Sequence, residues 1–139
     1  MKEIMAIVRM KKTGATKKAL VETGVAGFTA VKVLGRGKLI TDPDILKECR
    51  EKLLTMGADD FSDAADTEKQ VTTFLDGSRV FPRRLFTVLA HDEDVPRIIE
   101  AIAKANRTEH GIGDGTIFVM PVYDAIRVRT GETGEAAIW

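Results

Sequence analysis

The sequence predicts an α+β domain made of two β-α-β halves with a long insertion between them. Three observations lead there: four apolar runs of strand length, helical spacing inside each half, and a length of 139 residues that suits one domain, residues 1–139.

Residues 4–8 are the first apolar run. A helix over residues 13–23 follows, with Ala15, Ala19 and Leu20 on one face and Gly24 placed to end it. Residues 28–34 read as a second strand that runs into Gly35, Arg36, Gly37 and Lys38. The same order then returns. Residues 85–90 are a strand, and after Asp92 a helix carries Val95, Ile98, Ile99, Ile102 and Ala103 at i, i+3, i+4, i+7 and i+8. Pro96 falls in its first turn, where proline is tolerated. A glycine-rich stretch at 111–115 leads to a strand at 116–120 and a shorter extended piece over 125–129.

The order β-α-β, interruption, β-α-β is that of a ferredoxin-like domain, whose helices cover one face of the sheet. Residues 85–90 and 117–119 are apolar on both faces, so the other face must also be buried, and another subunit is the economical cover. The insertion spans residues 38–82. Thr41, Asp42 and Pro43 look like a helix start, Leu46, Cys49, Leu53 and Met56 recur at helical spacing, and residues 57–70 are acidic and alanine-rich. Connections of such length inside a compact domain are usually functional or disordered.

Composition narrows the function. Hydrophobic residues at 44% and charged residues at 30% are those of a globular protein. A single cysteine, Cys49, excludes an internal disulfide and a cysteine-based zinc cluster. No apolar run is long enough to span a membrane and no signal-peptide zoning appears, which predicts a soluble cytoplasmic protein without a membrane partner. The net charge of zero hides segregation: residues 1–40 carry nine Lys/Arg against two Asp/Glu, residues 41–78 four against ten, and residues 79–139 eight against nine. That balance argues against nucleic acid as the main partner.

Three pieces are compatible with phosphate. On an extended strand Arg127 and Arg129 would point the same way, roughly 7 Å apart, a spacing that suits adjacent phosphates or, equally, a solvated edge. Gly111, Ile112, Gly113, Asp114 and Gly115 could turn backbone amides onto an anion, or simply make a tight connection. Gly35, Arg36, Gly37 and Lys38 supply two cations beside a hinge, or a turn with solvated charges. Their coincidence in one small chain points to a nucleotide. Asp59, Asp60, Asp63 and Asp66 lack an EF-hand pattern and read as a solvated acidic loop, so no metal site is assigned. His91 and His110 have no partnered nucleophile, and no catalytic residue is assigned.

These pieces in this order resemble the PII family of signal-transduction proteins. The likeness rests on the opening Met1, Lys2 and Ile4, on Gly27, Phe28 and Thr29, on Gly35 and Gly37, on residues 112–115 and 117–119, and on Arg127, Val128, Arg129, Thr130, Gly131 and Glu132. The resemblance implies a ferredoxin-like homotrimer that binds ATP or ADP between subunits, with Mg²⁺ possible, and responds to 2-oxoglutarate. It makes residues 38–82 the T-loop, 107–115 the B-loop and 127–139 the C-terminal loop and tail. Thr29 and Gly35 would lie by the adenine and ribose, and Gly37 would also belong to the nucleotide site. Ile112, Gly113, Asp114 and Gly115 would surround the phosphates, and Arg127 and Arg129 would be the phosphate arginines. Lys38 stands where the family has arginine, Thr116 where it has lysine, and Leu39 where it has the glutamine that helps hold Mg²⁺ and 2-oxoglutarate. Tyr123 is the only tyrosine, so the insertion offers none for uridylylation.

Within the family the chain is similar to the second paralogue of the nitrogenase-associated PII proteins of methanogens and some anaerobic bacteria. That likeness implies a hetero-oligomer with the paralogous PII subunit, which inhibits nitrogenase after ammonium addition by binding the dinitrogenase component. The competing functions are a PII sensor of an ammonium transporter or biosynthetic enzyme, and an ATP-using transferase, which would need a general base beside the phosphates.

Overall fold

The structure is a computed structural model that describes residues 1–37, 43, 44, 47, 48, 51, 80–109, 111 and 113–138. Its strands are β1 (Lys2–Arg9), β2 (Thr29–Gly35), β3 (Phe81–Ala90) and β4 (Thr116–Pro121), and its helices α1 (Thr13–Glu22) and α2 (Val95–Asn106). The strands form one sheet in the order β2-β3-β1-β4, every neighbouring pair antiparallel. The ferredoxin-like α+β reading is therefore correct.

Alternation in β1 decides which face meets the helices. Ile4, Ala6 and Val8 are fully buried, and the register sets them beside Val88, Phe86 and Arg84 of β3, with Val119 and Ile117 of β4 next to Ile4 and Ala6. Cross-strand partners share a face, so these residues point toward the helices. There Leu20 of α1 and Ile98 and Ile102 of α2 complete a core that Phe28 joins through a tilted ring contact with Phe86 at 5.7 Å. A polar contact ties the helices together: Asn106 Nδ2 donates to Thr16 Oγ1 at 2.9 Å.

Three elements differ from their sequence reading. In α1 the buried positions are Thr16 and Leu20, while Ala15 is exposed; the Thr16 hydroxyl donates to Lys12 O at 2.9 Å, which lets a polar residue face the core. Strand β3 begins at Phe81, four residues before the apolar run, so it includes residues 81 and 82 of the insertion. Its start pairs with the end of β2, Gly35 opposite Phe81. Residues 125–129 are not a strand. Ile126 makes one isolated bridge to Thr133, and Gly131 N–H donates to Arg127 O at 2.8 Å, closing a tight turn that carries Arg129.

The opposite face of the sheet carries Val31, Leu85, Ile7, Met5, Phe118 and Met120, by the same pairing rule. Phe118 is 48% exposed and Leu89 37% exposed within one protomer. The sequence reading of a sheet apolar on both faces holds; the subunit expected to cover the open face is taken up below. The predicted helix over Leu46, Cys49, Leu53 and Met56, the acidic stretch 57–70, and Lys38, Leu39, His110 and Ile112 lie outside the described residues.

Candidate nucleotide site

Antiparallel order gathers four chain segments at one end of the sheet: the end of β1 at Arg9, the end of β2 at Gly35, the start of β3 and the start of β4. Gly35, Gly37 and the loop through Gly113, Asp114, Gly115 and Thr116 therefore share that end. It is strongly cationic. Arg9 pairs in register with Arg83, which is next to Arg84, and Arg84 pairs with Lys32.

The loop between α2 and β4 is shaped by three contacts to one carboxylate. Asp114 Oδ2 accepts from Thr108 N–H at 3.0 Å, and its Oδ1 accepts from the Thr108 hydroxyl at 2.7 Å and from Arg9 Nη2 at 3.2 Å. Gly115 follows at φ +114°, and a Cβ there would stand 2.2 Å from Ile7 O, so only glycine lets the loop pass this close to β1. At Gly113, φ +69°, a Cβ would lie 3.7 Å from Arg9 Nη2 and 3.8 Å from Arg83 Nη2. Two guanidiniums thus converge on a bare backbone. Phosphates fit such a place, because it offers cations and a chain without side-chain bulk.

The other candidate residues stand at the far end. Thr29, with Gly27, Phe28, Thr87, Leu89, Ala137 and Ile138, lines a cleft of about 440 Å³. The C-terminal segment folds beside it as a 3-10 turn, Gly134–Ala137. Its anchor is charged: the Met1 amine lies 2.7 Å from Glu135 Oε1 and 3.1 Å from Asp92 Oδ1, and His91 Nδ1 contacts Glu135 Oε2. Hydrogen bonds to Glu135 and then to Asp92 raise the amine above its ordinary value. The same amine lowers the carboxyl of Asp92, and it lowers that of Glu135 with further help from His91. Arg127 lies in this region, Nη1 on Glu132 Oε2 at 2.6 Å and Nη2 on Ala136 O at 3.1 Å.

The sequence-derived site is thus divided within one protomer. Gly35, Gly37, Gly113, Asp114, Gly115 and Thr116 are at one end, and Thr29, Arg127 and Arg129 belong with the other. Along β2 alone, Thr29 and Gly35 are six rises apart, about 20 Å. Sequence reasoning missed Arg9, Arg83 and Thr108. Arg9 and Arg83 are cations at the mouths of strands, a visible signal; Thr108 lies six residues before its acceptor and gave none.

An antiparallel βαββαβ sheet with a cationic, glycine-lined end defines a ferredoxin-like domain. The family model of nitrogen regulatory protein P-II matches residues 1–132, and the chain belongs to that family. It is 39% identical over 138 residues to "Nitrogen fixation nifHD region GlnB-like protein 2" of Methanobacterium ivanovii, covering 99% of each chain. The Methanosarcina barkeri protein named "Nitrogen fixation nifHD1 region GlnB-like protein 2" is 37% identical over 139 residues, again 99% of each chain. "Nitrogen regulatory protein P-II" of Cereibacter sphaeroides is 36% identical over 138 residues, 99% of this chain and 100% of that one.

Proposed function

We propose that this protein is a cytoplasmic, trimeric nitrogen-status regulator that binds ATP or ADP between protomers and inhibits nitrogenase by direct contact. The observation that carries the reading is the division of the site. One protomer holds the glycine loop and the C-terminal arginines at opposite ends, so a nucleotide touching both needs two chains. Three copies around an axis would meet that need and cover the apolar open face in one arrangement. The nif-region names of the relatives support a role in nitrogen fixation.

In this reading Gly113, Asp114, Gly115 and Thr116 of one protomer, with Gly35, Gly37, Lys38 and Ile112, hold the phosphates and ribose. Thr29, Arg127 and Arg129 of its neighbour close the cleft. Mg²⁺, when bound, would offset charge on the phosphates. The protein acts as a regulator and not as a catalyst: Asp114, the acid beside the loop, already accepts three hydrogen bonds in shaping it. Residues 38–82 leave and re-enter the sheet at the loop end, so ligands there bias the segment that grips a partner. A coupling of about 1–3 kcal/mol changes partner affinity roughly 5–150-fold.

The partner is the dinitrogenase component, engaged by a hetero-oligomer of this chain and a paralogous PII subunit after ammonium addition and released by ATP with 2-oxoglutarate. The test is a titration of 2-oxoglutarate, with ATP present, into the preformed inhibited complex. Activity should return. Inhibition that persists at every concentration refutes the switch. A parallel titration of the isolated protein reports whether it takes the effector with Leu39 in the glutamine's place.

A further inference from the structure

A carboxylate inside an anion-binding loop is an electrostatic liability, since Asp114 would repel the phosphates that its own loop turns to receive. Its immediate neighbour resolves the conflict. Arg9 is 1% exposed, yet it ends a strand at a charged rim where a solvated arginine would be the ordinary outcome. Its guanidinium meets Asp114 Oδ1 at 3.2 Å and also flanks the bare Gly113 backbone. Both partners are held in place: Arg9 ends β1 two residues after Ile7, whose carbonyl abuts Gly115, and Asp114 is gripped twice by Thr108.

From this geometry we infer that Arg9 is a positioning residue that neutralises Asp114 and thereby sets how strongly the loop prefers the more highly charged nucleotide, ATP over ADP. The inference rests on the nucleotide reading above. Asp114 builds the loop through its bonds to Thr108, and Arg9 cancels the charge that this construction brings with it. Removing Arg9 exposes a negative charge to the phosphates, and ATP, with one more charge than ADP, loses more. Removing the carboxylate charge while keeping Arg9 does the reverse.

The experiment measures ATP and ADP affinity by calorimetry on the full-length protein and on Arg9→Ala, Asp114→Asn, the double variant and Arg9→Lys. The ATP-over-ADP ratio should fall about threefold or more in Arg9→Ala and rise by a similar factor in Asp114→Asn. It should return to the wild-type ratio in the double variant and stay there in Arg9→Lys, which keeps the charge. Loss of loop shape alone would change the ratio in one direction for both single variants, or not at all, and either result overturns the proposal. If Arg9→Ala does not fold, Asp114→Asn and Arg9→Gln carry the same opposed signs, and an unchanged ratio in either rejects it. Wild-type protein that binds neither nucleotide would instead overturn the nucleotide reading itself, a distinguishable failure.

Discussion

The two ends of the sheet solve the same problem, holding a carboxylate beside a cation, in opposite physical regimes. At the loop end Asp114 meets an arginine that is 2% exposed in its side chain, while at the C-terminal end Asp92 and Glu135, both largely exposed, meet the Met1 amine. Water screens the second set more than the first, where only the carboxylate is partly exposed. The contrast teaches that charge pairing here is structural at one end and a light fastening at the other.

The largest effect should come from Gly115→Ala. A Cβ at 2.2 Å from Ile7 O, with φ at +114°, forces the loop off β1, and a loss of about 3 kcal/mol or more in denaturant unfolding is expected. Gly134→Ala at the other end, where φ is +64° but the space is open, should cost only about 1 kcal/mol. Equal losses would erase the distinction between the ends.

Next in size is Asp114→Ala, which takes from a buried guanidinium its carboxylate partner. Discounted for the partial exposure of Asp114, the loss should be about 2–3 kcal/mol. Glu135→Ala should be close to neutral in the same unfolding measurement, as exposed pairs usually are. A large Glu135 effect would show the C-terminal fastening to be as structural as the loop.

Arg127→Ala and Arg129→Ala sharpen the division of labour at the C-terminal end. Each should weaken ATP binding about tenfold, the worth of one charge-assisted bond. Only Arg127→Ala should also loosen residues 132–136, because Arg127, unlike Arg129, donates to Glu132 Oε2 and to Ala136 O. Hydrogen exchange of the Ala137 amide separates the two: equal exchange in both variants would contradict the structural role of Arg127.

The smallest effect is that of pH. Asp92 and Glu135 have folded-state values below their ordinary ones, so their fastening is fully present above the ordinary carboxylate range and is lost as pH falls through the depressed values. Protection of the Ala137 amide, corrected for intrinsic exchange, should decline over that acidic window while the β1 amides stay protected. Simultaneous loss in both places would mean the end is not independent.

Much of this was legible because it is local. An apolar run of strand length marked β1, and the spacing of Ile98 and Ile102 marked α2 with its correct face. The glycines before β4 announced a backbone under constraint, and Gly113 and Gly115 bear it out. What escaped is non-local or degenerate. Arg9 and Asp114 are 105 residues apart, and only the pairing of β1 with β4 brings them together. The alternation of Arg127 and Arg129 fits a strand and a turn equally well, and the hydrogen bonds that Arg127 N–H donates to Glu132 O and Gly131 N–H donates to Arg127 O decide for the turn. In α1 the buried face runs through Thr16, whose hydroxyl is satisfied by its own helix, so polarity misled where geometry ruled.

Gly115 has one more consequence, for the alignment of β4. The strand begins one residue after it, with Thr116 opposite Ile7, so the one residue able to pass the Ile7 carbonyl acts as an index mark against slippage. A shift of a single position would turn Phe118 and Met120 toward the helices and Ile117 and Val119 away from them. The two sides of β4 are both greasy, and hydrophobicity alone would discriminate poorly between those alignments. A side chain that is missing, at one point on the chain, supplies the information that the apolar pattern lacks.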